Sequence, residues 1–282
     1  MSEPTGTLYI VATPIGNLED ITFRAVRILK EADLIAAEDT RHSRKLLSHF
    51  GISKPLTSYF DHNKHLKGKY ILDQLGEGHT VALITDAGTP CISDPGYQLV
   101  RDAVAAGFTV VPVPGPSAAI TALSASGLPT DTFVFEGFLP NRQGKRRDKL
   151  ASLKDERRVL IFYESPNRLH AALADMRDIL GERETVIARE LTKIYEEFIR
   201  GDISAVIDQV NERKIKGEVV VLVAPGSGGR EEGTSRPLAE LLGDYLDRGE
   251  LSLKDAVKRV AMETGLPRSD VYAEALKLRG RE

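Results

Sequence analysis

The sequence predicts an α/β protein of two lobes around a cleft, followed by a small, wholly helical C-terminal unit. Three observations predict it. Short β-branched runs alternate with helix-period stretches over residues 7–224, the segment VPGPSAAITALSASGLPTD interrupts them with three prolines and two glycines, and after Ala224 only helical periodicity remains. The expected boundaries are 1–116 for the first lobe, 117–225 for the second, 226–236 for a linker and 237–282 for the helical unit.

TLYIVA opens the chain as a strand. Residues 21–30 follow as a helix, because Ile21, Ala25, Ile28 and Leu29 share one face and Asp20 is available as N-cap. DLIAAE, TVALIT and FTVVPV are further strands, with helices at 66–75 and 97–106, and the small-residue stretch 118–126 is helical. DTFVFEGFL, RRVLIFYE, ETVIARE and GEVVVLVA supply the second lobe's strands, with helices at 168–180 and 203–212. PGSGGREEGTSRP has the glycines and serines of a flexible linker. Beyond it, residues 238–248 form one helix, Ser252 caps a second through Thr264 with Asp255 three residues on, and Ser269 caps a third through Leu278. The last two have helix-turn-helix spacing. Their nearly balanced charge suits a packing or dimer-contact appendage at least as well as a nucleic-acid reader.

Composition narrows the class. With 282 residues, 41% apolar and 28% charged, the chain is expected to be a soluble globular protein of about two domains. Apolar runs such as 219–224 fall far short of the roughly 20 residues a membrane-spanning helix needs. The N-terminal residues lack the basic start and long apolar core of a secretory signal. A single cysteine, Cys91, excludes an internal disulfide and a cysteine-cluster zinc site, so a cytosolic setting is expected.

The net charge of −3 argues against a protein that grips nucleic acid through a global positive field. Its distribution differs. Residues 41–69 carry seven Lys or Arg against one acid, and residues 142–158 carry eight against three. Two basic patches on an acidic protein suit a polyanion held at one place and released, the alternative being solvated loops or helix faces.

Three loops rich in Gly, Pro and small polar residues follow strands: TPIGNLED, TDAGTPCISDPG and PGPSAA. Strand-end loops are where α/β folds bind ligands. None contains GxGxxG or GxxxxGK[ST], which disfavours nicotinamide dinucleotides and nucleoside triphosphates. Their glycines allow close backbone approach to a ligand; singly, each is an ordinary βα turn.

The order of these segments, with AEDTRHSRKLL, SYFDHN and ARELTKIYEEFIRG, resembles the tetrapyrrole methylase superfamily of S-adenosylmethionine-dependent methyltransferases. Within it, the motifs are similar to those of the ribosomal RNA small subunit methyltransferase I family, from Thr7 to about Pro225 and again in the helical tail. That resemblance implies a class III methyltransferase fold, S-adenosylmethionine as cofactor, a homodimer, and 2′-O-methylation of a cytidine in small-subunit ribosomal RNA. It places cofactor contacts at Thr13, Pro14, Asp86, Ala87, Gly88, Thr89, Pro90, Ile92, Ser117 and Ala118 in the first lobe's share. Tyr163, Arg189, Glu190, Ala224 and Pro225 occupy matching positions in the second. Many tetrapyrrole methylases read GDP where this chain reads GTP, so Thr89 replaces an acid.

AEDTRHSRKLL sets Glu38 and Asp39 against Arg41, His42, Arg44 and Lys45 within eight residues at a strand end. A ribose hydroxyl must be oriented or deprotonated as it attacks a methyl carbon. Asp39 or His42 is the expected proton acceptor, Glu38 orients its neighbour, and Arg41 or Arg44 holds a phosphate. The alternative for both acids is capping of a helix over 43–50. Tyr59, Phe60, His62 and His65 beside cations suit unstacked single-stranded RNA. A metal site at Asp61, His62 and His65 is weakly supported, because this transfer needs no Lewis acid. NRQGKRRDKL is expected as a mobile loop bringing Arg142, Lys145, Arg146 and Arg147 to RNA phosphates, or else as a solvated loop. Glu190, Lys193, Glu196 and Glu197 read as surface ion pairs, and beside the resemblance Glu190 and Lys193 become active-site neighbours. Two competing functions remain: a porphyrin-type C-methyltransferase, and a non-catalytic nucleic-acid-binding regulator acting through residues 234–282.

Overall fold

The computed structural model describes residues 6–60, 63–226, 238–247, 251–264 and 267–279. Strands β1 (Thr7–Val11), β2 (Leu34–Ala37), β3 (Leu56–Ser58), β4 (Val81–Ile84) and β5 (Thr109–Val113) make an all-parallel sheet in the order β3-β2-β4-β1-β5. Helices α1 (Phe23–Glu31), α2 (Thr40–His49), α3 (Lys64–Gly76) and α4 (Tyr97–Ala105) cover it on both faces. Strand alternation decides which residue meets which helix. Ile35, Ala37, Ala82 and Ile84 pack with Ala25, Ile28 and Leu29 of α1 and Leu47 of α2. Leu34, Ala36, Val81 and Leu83 pack with Ile71 and Leu75 of α3 and Leu99 and Ala103 of α4. Burial on two faces is why the inner strands read as unbroken apolar runs, each large aliphatic side chain contributing about 1.5–3 kcal/mol. Pro112, which cannot donate to a ladder, sits in the edge strand β5.

The chain passes from β1 to β2 and returns to lay β4 between them. The ends of β2, β4, β1 and β5 therefore lie side by side at a crossover where ligand crevices form.

The second sheet holds β6 (Phe133–Phe138), β7 (Val159–Glu164), β8 (Glu184–Arg189), β9 (Glu197–Asp202) and β10 (Val219–Val223) in the order β6-β7-β10-β8-β9. Only β6 and β7 run parallel. One face packs on α7 (Pro166–Leu180), α8 (Ile203–Asn211) and Leu150 of α6 (Gln143–Ala151). The other receives Ala119, Ala122 and Leu123 of α5 (Ala118–Ser124), together with Ile15 from the loop after β1. Ile15 thus joins the two sheets through one apolar cluster.

Four local expectations change. Helix α1 starts at Phe23, capped by Thr22, whose Oγ1 accepts from Ala25 N at 3.1 Å; Asp20 lies in a short 3-10 turn before it. Strands β3 and β9 were unexpected, the first because it has three residues and the second because charged residues break its apolar run. Residues 143–151 are helix α6 rather than a loop. In the C-terminal unit, α9 (Leu238–Asp247), α10 (Leu253–Thr264) and α11 (Arg268–Arg279) close over Leu242, Val257, Val260 and Val271. Ser252 caps α10 as expected, accepting from Asp255 N at 3.2 Å, whereas α11 starts ahead of Ser269, with Pro267 O accepting from Val271 N.

The chain divides into two compact units, 1–226 and 227–282. The expected linker falls outside the described residues except at Gly226. No helix among the described residues is long and apolar enough to cross a membrane.

Candidate active site

The loops after β1, β4 and β5 are interlocked by hydrogen bonds. Thr13 and Gly88 exchange backbone bonds of 2.9 and 3.0 Å, and Thr13 Oγ1, fully buried, donates to Thr85 O at 3.1 Å. Gly88 holds φ +85°, a backbone that a side chain would strain. Thr89 Oγ1 donates to Pro116 O at 3.1 Å, so Thr89 braces the third loop. Asp39 N donates to Asp86 Oδ1 at 3.2 Å, tying in the end of β2.

Between these loops and the second sheet lies a cavity of about 430 Å³, within the range of small-molecule sites. Its first wall carries Ile15, Glu38, residues 86–89, Ile92, Ser93, Asp94, Ser117 and Ala118. The facing wall carries Phe138, Tyr163, Glu164, Ser165, Pro166, Ala188, Leu191 and residues 217–220. Tyr163 sits edge-on to Phe135 and Phe138, and its hydroxyl accepts from Ala119 N at 3.3 Å. Burial pushes that phenol above its usual value.

The acids of the two walls differ. Glu164 is bound by Arg168 Nη2 at 3.0 Å, and Glu218 by Lys193 Nζ at 3.1 Å. On the first wall stand Glu38, Asp86 and Asp94, and Asp94 has no ion pair among the described residues. Burial, with Glu38 and Asp86 close by, pushes the Asp94 carboxyl up to about 7, against a hydrogen bond from Thr85. Among the described residues, no three His, Cys, Asp or Glu side chains are grouped to hold a metal ion.

Residues 7–207 match the family described as Tetrapyrrole (Corrin/Porphyrin) Methylases, and residues 248–279 match the RsmI C-terminal HTH domain. The chain is 52% identical over 272 residues to ribosomal RNA small subunit methyltransferase I of Halalkalibacterium halodurans, covering 95% of this chain and 93% of that protein. Against the Pseudomonas aeruginosa protein of the same name the identity is 49%, with 98% and 99% covered. The chain belongs to the ribosomal RNA small subunit methyltransferase I family. Its fold is shared at 19% identity and a TM-score of 0.59 with a cobalt precorrin-4 methyltransferase, over 77% of this chain and 94% of that one. A Thermus thermophilus uroporphyrin-III C-methyl transferase, solved with S-adenyl homocysteine, matches at 18% identity and a TM-score of 0.55, over 78% and 97%.

Within this family fold, the structure brings Asp86, Ala87, Gly88, Thr89, Ile92, Ser117, Ala118 and Tyr163 to the cavity surface, together with Glu38. Thr13, Pro14 and Pro90 are buried behind it as loop supports. Glu190 stands behind the facing wall: its Oε1 accepts from Lys193 Nζ at 2.8 Å and from Glu218 N at 3.1 Å, and its carboxyl is held low chiefly by Lys193. Arg189 binds Lys216 O, Tyr195 O and Glu197 instead of facing the cavity.

Strand direction corrects Ala224 and Pro225. Val219 pairs with Glu164 and Arg189, the final residues of β7 and β8, so antiparallel β10 presents its beginning to the cavity. Ala224 lies five residues on, about 17 Å along the strand. Residues 217–220 take that place, and the glycine before the apolar run was the only local signal for them.

Asp39 is the N-cap of α2. Its Oδ1 accepts from Arg41 N at 2.8 Å, Arg41 Nη2 donates to Oδ2 at 3.0 Å, and these bonds hold the carboxyl at about 2. Neither Arg41 nor His42, both exposed on α2, lines the cavity. Of the residues expected to meet RNA, Arg44, Lys45, Arg142 and Lys145 are exposed. Two are corrected. Tyr59 is 2% exposed in the core beneath α3, closed to a base. Arg146 is buried against Asp175, its Nε and Nη2 both 2.7 Å from Oδ2. Half-buried Arg147 binds the same carboxylate at 2.8 Å. His62 lies outside the described residues.

Proposed function

We propose that this chain is an S-adenosylmethionine-dependent methyltransferase of small-subunit ribosomal RNA, with a cytidine 2′-hydroxyl as the acceptor. The observation that carries the reading is the 52% identity, over 95% of the chain, to a ribosomal RNA small subunit methyltransferase I. The cavity residues fit the cofactor. Ile15, Ala118, Tyr163 and Leu191 offer an apolar bed for an adenosine, the backbone of Asp86 and Ala87 offers polar groups for its edges, and Glu38 and Asp86 on the first wall complement a sulfonium charge. When bound, S-adenosylmethionine supplies an electrophilic methyl group.

The chain's own part is to align the hydroxyl, exclude water and accept a proton. Arg44 and Lys45, on the helix that begins where Glu38 leaves the sheet, are placed to hold RNA phosphates, which position a strand without reading its sequence. That exposed cationic face favours RNA over a tetrapyrrole, which needs only a few cations. A homodimer in the cytoplasm, as the family resemblance implies, completes the proposal; sedimentation velocity tests the dimer.

Small ribosomal subunits from cells lacking the modification should accept labelled methyl groups from this protein, at a cytidine 2′-oxygen by mass spectrometry. Transfer to uroporphyrinogen but not to subunits would replace the assignment with a porphyrin-type C-methyltransferase.

A further inference from the structure

We propose that Asp94, held on the first wall of the cavity by the loop after β4, is the carboxylate that takes the proton of the attacking hydroxyl. The inference rests on the reading of a hydroxyl acceptor. Sequence spacing pointed instead to Asp39 and His42. Asp39 is committed to capping α2 and to Arg41, and both residues lie outside the cavity lining; the acids that reach the first wall after β2 and β4 are Glu38, Asp86 and Asp94, and of these Asp86 is already tied to the β2 end by accepting from Asp39 N at 3.2 Å.

Three features fit Asp94 to the task. The first is rigidity. Its loop is pinned at Thr13–Gly88 and Thr89–Pro116, and two non-glycine residues beside it, Cys91 and Ser93, hold positive φ of 72° and 61°. Such backbone is strained and persists only where the surroundings enforce it. The enforcement is visible: a Cβ on Gly137 of β6 would fall 2.7 Å from Ser93 Oγ, and one on Gly96 would fall 2.5 Å from Cys91 Sγ. The second sheet therefore abuts the loop at the residue preceding Asp94.

The second feature is charge. The titratable groups facing Asp94 are Glu38, Asp86, Tyr163 and Cys91. Among the described residues no cation is paired with it, and burial, with Glu38 and Asp86 close by, pushes its carboxyl up to about 7, where a general base combines availability with driving force. Burial and the charge of Asp94 push Cys91 to about 11, and burial raises Tyr163, so both stay protonated there.

The third is the balance of the step. The hydroxyl O–H bond breaks and its proton passes to a carboxylate oxygen of Asp94, from which water removes it; the oxygen's electron pair forms the new O–CH₃ bond as the methyl's bond to the sulfonium sulfur breaks, its pair staying on sulfur to leave the neutral thioether of S-adenosylhomocysteine. No co-reactant beyond the proposed cofactor and hydroxyl acceptor is needed.

The experiment compares full-length wild type with Asp94→Asn and Asp94→Glu. Methyl transfer to subunits at saturating cofactor should rise through pH 7 in wild type. Asp94→Asn should lose about 10²–10⁴-fold in kcat and this pH limb, and Asp94→Glu should keep a displaced limb. Without cofactor, carboxyl ¹³C resonances of aspartate-labelled protein should show one midpoint near 7 that is missing in Asp94→Asn. Calorimetry should find S-adenosylhomocysteine binding within about threefold of wild type, separating proton transfer from cofactor binding. The proposal is overturned if Asp94→Asn keeps the limb, or if the midpoint near 7 survives in it. If Asp94→Asn does not fold, a folded Asp94→Glu without the limb overturns it equally. A wild type that binds S-adenosylhomocysteine but methylates no subunits overturns the functional reading and this proposal with it, whereas an active wild type beside an Asp94→Asn that keeps the limb overturns the role of Asp94 alone.

Discussion

Removal of the Asp175 carboxylate tests whether α6 is a structural clamp or an RNA-contacting element. Asp175 and Arg146 have side chains 3% and 5% exposed, and the carboxylate accepts from Arg146 at 2.7 Å, Arg147 at 2.8 Å and Gln143 at 3.3 Å. Asp175→Ala leaves a guanidinium buried without its counter-charge, a loss that costs about 3–5 kcal/mol. In a domain of this size each kcal/mol moves Tm by about 2–4 °C, so a drop of about 6–20 °C is expected by circular dichroism. Burial raises the Asp175 carboxyl, but the bonds from Arg147, Arg146 and Gln143 outweigh it and leave it below its ordinary value of 3.8. A depressed folded-state value stabilises above the unfolded one and loses that contribution as pH falls. The gap between wild type and variant should therefore hold from pH 8 to 5 and close below about 3.8. Arg146→Met should also melt early, yet bind subunits normally while folded. A change in Tm under 2 °C for Asp175→Ala, or RNA affinity lost from a fully stable Arg146→Met, would refute the clamp.

Gly217→Ala should weaken S-adenosylhomocysteine binding at least tenfold by calorimetry, because at φ +87° the new Cβ falls 2.0 Å from Glu190 Oε1, which Lys193 and Glu218 hold in place. Gly107→Ala, at φ +80° with nothing within 4 Å, carries the backbone strain alone and should leave that binding intact. Arg44→Ala with Lys45→Ala should lower subunit affinity and flatten its salt dependence by about one power of salt concentration per charge removed, with the cofactor Kd unchanged. Tyr163→Phe removes the acceptor of Ala119 N and should destabilise by about 1 kcal/mol in urea titration.

What the sequence disclosed follows the range of the forces involved. The inner parallel strands were legible because burial on two faces demands unbroken β-branched runs, and the loops that line the cavity because tight turns at strand ends demand Gly and Pro. Strand β3 is three residues long, and β9 carries Arg200 and Asp202 among its apolar positions; both exist through their neighbours' ladders rather than their own pattern. The apolar run of GEVVVLVA carries no sign of its direction in the sheet, and the pairing of Val219 with Glu164 and Arg189 is what brings Gly217, not Ala224, to the cavity. Charge was legible in amount but not in orientation. Arg142 and Arg146 stand four residues apart in one basic run, yet Arg146 turns inward beside Leu150, because the buried carboxylate of Asp175 waits on α7. The same holds for the acids: Glu38 and Asp39 are adjacent in the chain but face a cavity and a helix end, while Glu38 and Asp94, 56 positions apart, share a wall because β2 and β4 are paired. Adjacency in a strand-end motif thus separates functions that a strand pairing brings together, and the proton acceptor of such a site is to be sought across the ladder rather than along the motif.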